Sequence, residues 1–406
     1  MHRTTLDTSR YRKLSPGPGS PASQVAVDQR TRIQSAMIEL VGEEGYEAVS
    51  LRRLATLAGV STKTFYEHFE SKAECFLRTY ELVVERISAR VVSAQADETD
   101  WPQRVELALQ GLAAELVNKP RAARLALLEV FEAGPAALET LARVEAHSEE
   151  MLTQSFARPS GQVKISPNLA RAIVSGVSFV ARTRMIGATP VIGTKVAGEL
   201  SQWVLSLQNR MAGDRVSVPA VGTRPSPPKA EPSEREIILT ATAKLAAASG
   251  YWQLTVPRIL TAAGLRKKNF AAHFTGVEDC FLAVLDQRTA SLIDRAMTAS
   301  TGGQTWSNRV GHSIENLCAT IAADPVTARL VFVESRSAGR AAVDRQDAIL
   351  TGWAGELVRN ASSNEPTSSI HAEASLGAIW GVVRGYIDVS DERLSGRSTD
   401  QRTLEN

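Results

Sequence analysis

Cysteine is scarce in this chain of 406 residues. Cys75, Cys280 and Cys318 have no zinc spacing, so no metal site is expected. The first two suit small core positions, with a redox-sensing thiol as the alternative. Long apolar runs are also missing. The amino terminus lacks the continuous apolar core of a secretion signal, and the charge-free stretches near 172–181 and 374–383 are too short to cross a bilayer, so a cytoplasmic protein with no membrane contact is expected. Net charge is small: 46 Lys and Arg against 44 Asp and Glu give +2. Alternating β-branched runs are few, which leaves an all-α fold. No paired acids, nucleophile and base sets or glycine-rich phosphate loops converge, so neither an enzyme nor a cofactor is expected. His147 beside Glu145 and Glu149 reads as helix surface; Glu129 with Glu132, and Glu334 with Arg336, could face a pocket.

What the chain does contain is itself, twice. Thirteen of the 33 positions from Gly45 to Leu77 recur identically 205 residues later, without a gap. Gly45-Tyr46 returns as Gly250-Tyr251, Gly59 as Gly264, Phe65 as Phe270, His68 as His273 and Cys75 as Cys280. The match extends through Trp101 and Trp306, Pro120 and Pro325, Glu129 and Glu334, and Gly176 and Gly381. A constant offset over that length implies a duplicated module with its helix lengths intact. Such a duplication can place in one chain the two-fold arrangement that most oligomers build from two.

The expected organisation is a flexible arm over 1–28, a first domain over 29–212 with its head at 32–77, a linker over 213–233, a second domain over 234–390 with its head at 235–282, and a polar tail over 391–406. Arg3, Arg10, Arg12, Lys13, Arg30 and Arg32 against Asp7 and Asp28 make the first 32 residues basic, suited to a polyanion or to solvent. The linker carries Pro219, Pro225, Pro227, Pro228 and Pro232; some 20 residues in a polyproline-like state reach about 60 Å. Applied to 195–211, the offset points past 399, so the second copy is expected to lack the last helix.

Within the first head, Ile33, Met37, Leu40 and Val41 form one apolar stripe, and Gly45 suits the left-handed residue past a helix end. Ser50 can cap a helix over 51–58, Gly59 permits a tight turn, Ser61 can cap a helix over 62–69, and Ser71 with Glu74 gives a capping-box pattern. That is a helix-turn-helix unit. Helices are further expected over 101–118, 121–131, 136–156, 168–187 and 195–211, broken at Pro120, Gly134-Pro135, Arg158-Pro159 and Thr189-Pro190. Trp353, Trp380 and Tyr386 make the second copy the more aromatic half, as core more than as a ligand cage.

The run from Gly59 to Leu77, with its glycine turn, Phe65-Tyr66, His68-Phe69 and Ser71-Lys72 in register, resembles the DNA-binding head of the TetR-type transcriptional regulators. The resemblance implies that the helix 62–69 enters the major groove of double-stranded DNA. Thr62, Lys63 and Thr64 would then meet base edges, with Ser61 at the helix start and Tyr66 and His68 at the backbone or a thymine methyl. Lys72 would hold a phosphate, with Arg52 and Arg53 adding contacts from the preceding helix.

The second head has drifted. Tyr66 becomes Ala271, Ser71 becomes Gly276 and Lys72 becomes Val277, while Arg266, Lys267 and Lys268 form a basic run suited to phosphates or to a solvated turn. The implied protein is a tandem TetR-like regulator, an intramolecular pseudo-dimer on an asymmetric operator with half-sites about 34 Å apart, relieved by a small apolar ligand among its carboxyl-terminal helices. Alternatives are a homodimer of chains using only the first head, with the second copy an accessory sensing module, and an interaction protein that no longer binds DNA.

Overall fold

A computed structural model describes residues 22–98, 100–156, 165–186, 193–210, 232–297, 306–359 and 368–394. Every regular element among them is helical. No single helix among them is long and apolar enough to cross a membrane. The chain divides into two compact units: Met1–Val144 with Arg184–Ser201, and Glu145–Thr183 with Gln202–Asn406. Residues 145–183 and 202–210, expected in the first domain, thus group with the second unit.

The first unit opens with α1 (Ala22–Glu44), which starts six residues before the expected end of the arm at 28. Residues 1–21, and the linker up to 231, lie outside the described residues. Ile33, Met37, Leu40 and Val41 are buried as one stripe. The helix stops where Gly45 adopts φ 88, a left-handed conformation that glycine takes without a Cβ penalty. Next come α2 (Leu51–Ala58), α3 (Thr62–His68) and α4 (Lys72–Ala94). The three expected caps form: Ser50 accepts from Arg53 N, Ser61 from Thr64 N and Ser71 from Glu74 N. The capping box is displaced by one residue, since Glu74 accepts from Glu70 N at 2.6 Å. Phe65, Phe69, Phe76 and Tyr80 fill the head's core, each burial contributing about 1.5–3 kcal/mol.

Below the head lie α5 (Trp101–Asn118) and α6 (Pro120–Leu127), followed by a 3-10 turn (Glu129–Glu132) and α7 (Pro135–Phe156). The single helix expected over 121–131 thus breaks after Leu127. The break turns Glu129 inward, where it is 1% exposed and accepts from Tyr46 N at 3.0 Å, with Arg124 Nε 3.4 Å from its other oxygen. Glu129 therefore caps the head's Gly-Tyr turn.

The second unit contains α10 (Glu234–Ser249), α11 (Val256–Ala263), α12 (Lys267–Ala271), α13 (Val277–Met297), α14 (Trp306–Ala323), α15 (Pro325–Arg329), the short α16 (Ser335–Ser337), α17 (Arg340–Arg359) and α18 (Ser369–Leu394). Helix α18 runs past the expected start of the tail at 391; residues 395–406, which include the positions from 400 that the offset assigns to the last helix, lie outside the described residues. Local conformations return at the 205-residue offset: Gly250 has φ 84, Gly264 φ 67 and Gly339 φ 86, against 88, 65 and 87 for Gly45, Gly59 and Gly134. Glu334 repeats the part of Glu129, accepting from Tyr251 N at 2.8 Å and pairing with Arg329 Nε at 3.2 Å, here presented by a π-helical turn (Leu330–Glu334). Trp353 and Trp380 are core, Trp380 lying 4.2 Å from the Phe332 ring centroid, whereas Tyr386 is 58% exposed.

Helix α8 (Pro167–Met185) and the end of α9 (Thr194–Arg210) belong with this second unit. Glycines let α8 and α18 approach closely: a Cβ on Gly377 would stand 2.5 Å from Phe179 Cβ, and one on Gly176 would stand 2.6 Å from Ala374 O. The acids that flank His147 form ion pairs. Glu149 meets Arg171 at 3.1 Å, and Glu145 accepts from Arg336 at 3.0 and 3.1 Å and from Arg384 at 3.0 Å. Arg182 forks onto Asp347 at 2.5 and 2.8 Å.

Burial alone would raise the Glu145 pKa, but Arg336 and Arg384 outweigh it and hold the carboxyl at about 2, against an ordinary 4.5. A depressed folded pKa stabilises above the unfolded value and loses that stabilisation as pH falls. Unit 2 should therefore lose roughly 3 kcal/mol between pH 4.5 and 2, an acid limb that Glu145→Gln abolishes in urea titrations across that range.

Candidate nucleic-acid interface

Helix α3 is short and two-sided. Phe65 and Phe69 anchor one side in the head, 5.7 Å apart between ring centroids, with Arg30 stacked over Phe69 at 5.2 Å. The opposite side carries Thr62, Lys63 and Tyr66, all exposed, Tyr66 at 58%. A polar, aromatic-bearing edge on a helix of two turns has the width that a major groove of about 12 Å admits. Its approach is set by the turn before it. Arg32 is buried, holds Asp28 at 2.9 Å, and donates to Ala58 O and Gly59 O, tying α1 to the corner between α2 and α3.

The expected contact residues divide in two. Thr62, Lys63 and Tyr66 lie together on the open edge, with Arg52 exposed on α2. Ser61 and Thr64 are engaged with each other, their hydroxyl oxygens 3.0 Å apart, as the start of α3. Arg53, expected at phosphates, forks onto Glu44 instead. His68 Nε2 lies 3.0 Å from Gln29 Oε1; burial and then Arg30 lower its pKa, so the ring is neutral at pH 7 and ties α3 to α1. Lys72 departs furthest from expectation. Its ammonium donates to Tyr46 O and Val49 O, both at 3.1 Å, and sits 4.1 Å from the Tyr46 ring centroid, so two of three donors close the loop before α2.

In the second head, Arg266, Lys267 and Lys268 are all exposed. The helix there is shorter, five residues against seven. Arginine at the cap position has no acceptor to offer, so Asn269 Oδ1 takes the Arg266 N–H at 3.1 Å, while the Asn269 amide donates to Glu234. The stacked arginine and the histidine tie persist as Arg235 over Phe274 at 5.4 Å and His273 at 3.8 Å from Glu234. Sequence reasoning missed Arg30, Arg32 and Arg124 as supports of the head. Arg30 and Arg124 carried a usable signal, since both recur at the offset as Arg235 and Arg329.

Residues 33–79 match the family model described as bacterial regulatory proteins, tetR family. The nucleoid occlusion factor SlmA of Aliivibrio fischeri strain MJ11 is 34% identical over 99 residues, which are 24% of this chain and 50% of that protein. The chain thus spans about half the length of that curated relative. The HTH-type transcriptional activator FasR of Mycolicibacterium smegmatis is 25% identical over 150 residues, 37% of this chain and 67% of that one. Among solved structures, the fatty acid degradation regulator FadR of Bacillus halodurans aligns at 17% identity over 47% of this chain and 97% of its own, with a TM-score of 0.38. It is the helix-turn-helix head, Ile33 to Thr79, that is similar to the tetR family of bacterial regulatory proteins.

Proposed function

We propose that this protein is a DNA-binding transcriptional regulator whose first head reads the major groove with α3 and whose two copies act as a pseudo-dimer within one chain. The observation that carries this reading is the exposed edge of Lys63 and Tyr66 on a helix fixed from behind by Phe65 and Phe69. Thr62 and Lys63 meet base edges, Tyr66 stacks on sugar or a thymine methyl, and Arg52 and the free donor of Lys72 meet phosphate. The second head, with Gly276 and Val277 where the first has Ser71 and Lys72, offers Arg266, Lys267 and Lys268 as phosphate ligands without base readout. Its operator is therefore asymmetric. The glycine-mediated approach of α8 to α18 supports assembly within the chain, since α8 belongs to the first copy and α18 to the second. A small ligand that prefers one arrangement of the helical bodies would release the DNA.

Binding of the variants to DNA from the protein's own upstream region tests this. Lys63→Ala and Tyr66→Ala should each weaken binding about 10- to 100-fold, the range for removing one base-edge interaction. Lys267→Ala should leave affinity for a bare first half-site unchanged and flatten the salt dependence on the whole operator by about 0.9 for each phosphate no longer neutralised. Full affinity in the Lys63 and Tyr66 variants would overturn the assignment of α3. The mass of the complex decides the assembly: one chain per footprint supports the pseudo-dimer, and two chains support a homodimer reading DNA with its first heads.

A further inference from the structure

In the second copy, α10, α14, α15 and α18 line an open groove of about 640 Å³, within the range that takes small organic ligands. Its walls are mainly apolar, with Ile321, Val326 and Ile387 along them, and its lining includes two cations, Lys244 and Arg329, and no acid. Lys244 is exposed and forms no ion pair among the described residues.

In the first copy the seam between α1 and α6, which corresponds to that between α10 and α15, is closed. There Arg121 pairs with Glu39 and Glu43, and α1 lies so close to α6 that a Cβ on Gly42 would stand 2.5 Å from Arg121 Cβ. At the 205-residue offset each closing residue is replaced: Glu39 by Lys244, Gly42 by Ala247, Glu43 by Ala248 and Arg121 by Val326. Two acids and an arginine have become a cation, an alanine and a valine. The change removes the ion pairs that close the seam and reverses the charge at its edge. Arg124, by contrast, is kept as Arg329.

We propose that this groove is a binding site for an amphipathic carboxylate, with an unbranched apolar body along Ile321, Val326 and Ile387 and its anionic end against Lys244 and Arg329. Charge complementarity selects an anion over a neutral or cationic amphiphile, and the apolar walls select the body. The site also has a route to the second head. Arg329 holds Glu334, and Glu334 caps Tyr251 N at 2.8 Å, so a carboxylate arriving at Arg329 competes with the carboxylate that fastens the head's Gly-Tyr turn. This coupling step, unlike the binding step, rests on the regulator reading above.

Cys318 lines the groove and is exposed, whereas Cys75 and Cys280 are buried, so maleimide alkylation of the full chain reports occupancy. Octanoate, decanoate and dodecanoate, below their micelle concentrations, should slow alkylation with affinities that rise about fourfold per methylene. Dodecyltrimethylammonium should give no protection. Lys244→Gln should weaken protection by dodecanoate about tenfold. Lys244→Glu with Val326→Arg, which installs the first copy's acid and arginine, should abolish it while the thermal melt of the full chain is retained. Protection independent of chain length, equal protection by the cationic amphiphile, or full protection in both variants would each overturn the site. DNA binding is read separately: carboxylate binding that leaves operator affinity unchanged overturns the coupling alone, and intact operator binding with no carboxylate binding overturns the site while the regulator reading stands.

Discussion

Glu129→Ala is expected to destabilise the first unit by about 3–5 kcal/mol, because it strips a buried carboxylate from Arg124 and leaves the Tyr46 N–H without its acceptor. The loss should appear as a lower urea midpoint with an unchanged slope. Glu129→Gln keeps a carbonyl for Tyr46 N and gives up only the charge, so it should cost about 1–2 kcal/mol. Glu334→Ala should repeat the large effect in the second unit through Tyr251 and Arg329. A change under about 0.5 kcal/mol in Glu129→Ala, the range of an ordinary surface substitution, would show that the carboxylate does not fasten the head.

The second large effect comes from two adjacent residues of α3. Phe65 is fully buried, and Phe65→Ala should cost about 3–5 kcal/mol through the forfeited burial and the cavity left behind. Tyr66, 58% exposed, should be worth under about 0.5 kcal/mol to stability when replaced by alanine, although the same change removes its proposed DNA interaction. Thermal or urea unfolding set beside operator binding separates the two. Phe65→Ala lowers both together, and Tyr66→Ala lowers binding alone. Equal stability losses at the two positions would mean that α3 is buried on both sides.

The local chemistry of the head is legible in the sequence. Ser50, Ser61 and Ser71 stand at helix starts because each supplies an acceptor to an N–H three residues on, and Gly45 and Gly59 stand where the backbone turns left-handed; these are rules of neighbouring residues. Long-range partners are not legible there. Lys72 and Arg53 look like phosphate ligands as isolated cations, and nothing local announces that the carbonyls of Tyr46 and Val49 take two of the three Lys72 donors or that the carboxylate of Glu44 holds Arg53. Glu129 reaches a backbone N–H 83 positions away, and nothing in a helical periodicity announces that the helix must break at Leu127 to deliver it. The repeat is the one signal that reaches that far, since Glu129 and Glu334 keep their offset together with Arg124 and Arg329. The packing of α8 with the second copy's helices lies beyond both kinds of signal, because an apolar stripe says that a face is covered and not by which partner.

The close approach of α8 and α18 has a bearing on how such a protein behaves when few copies exist in a cell. Two separate subunits drift apart once their concentration falls below their dissociation constant, and occupancy of a site then varies with the square of their number. Here the two surfaces are joined by peptide bonds and meet at a local concentration that dilution cannot lower. If the proposed pseudo-dimer is the form that binds DNA, occupancy scales with the first power of expression, down to a single molecule.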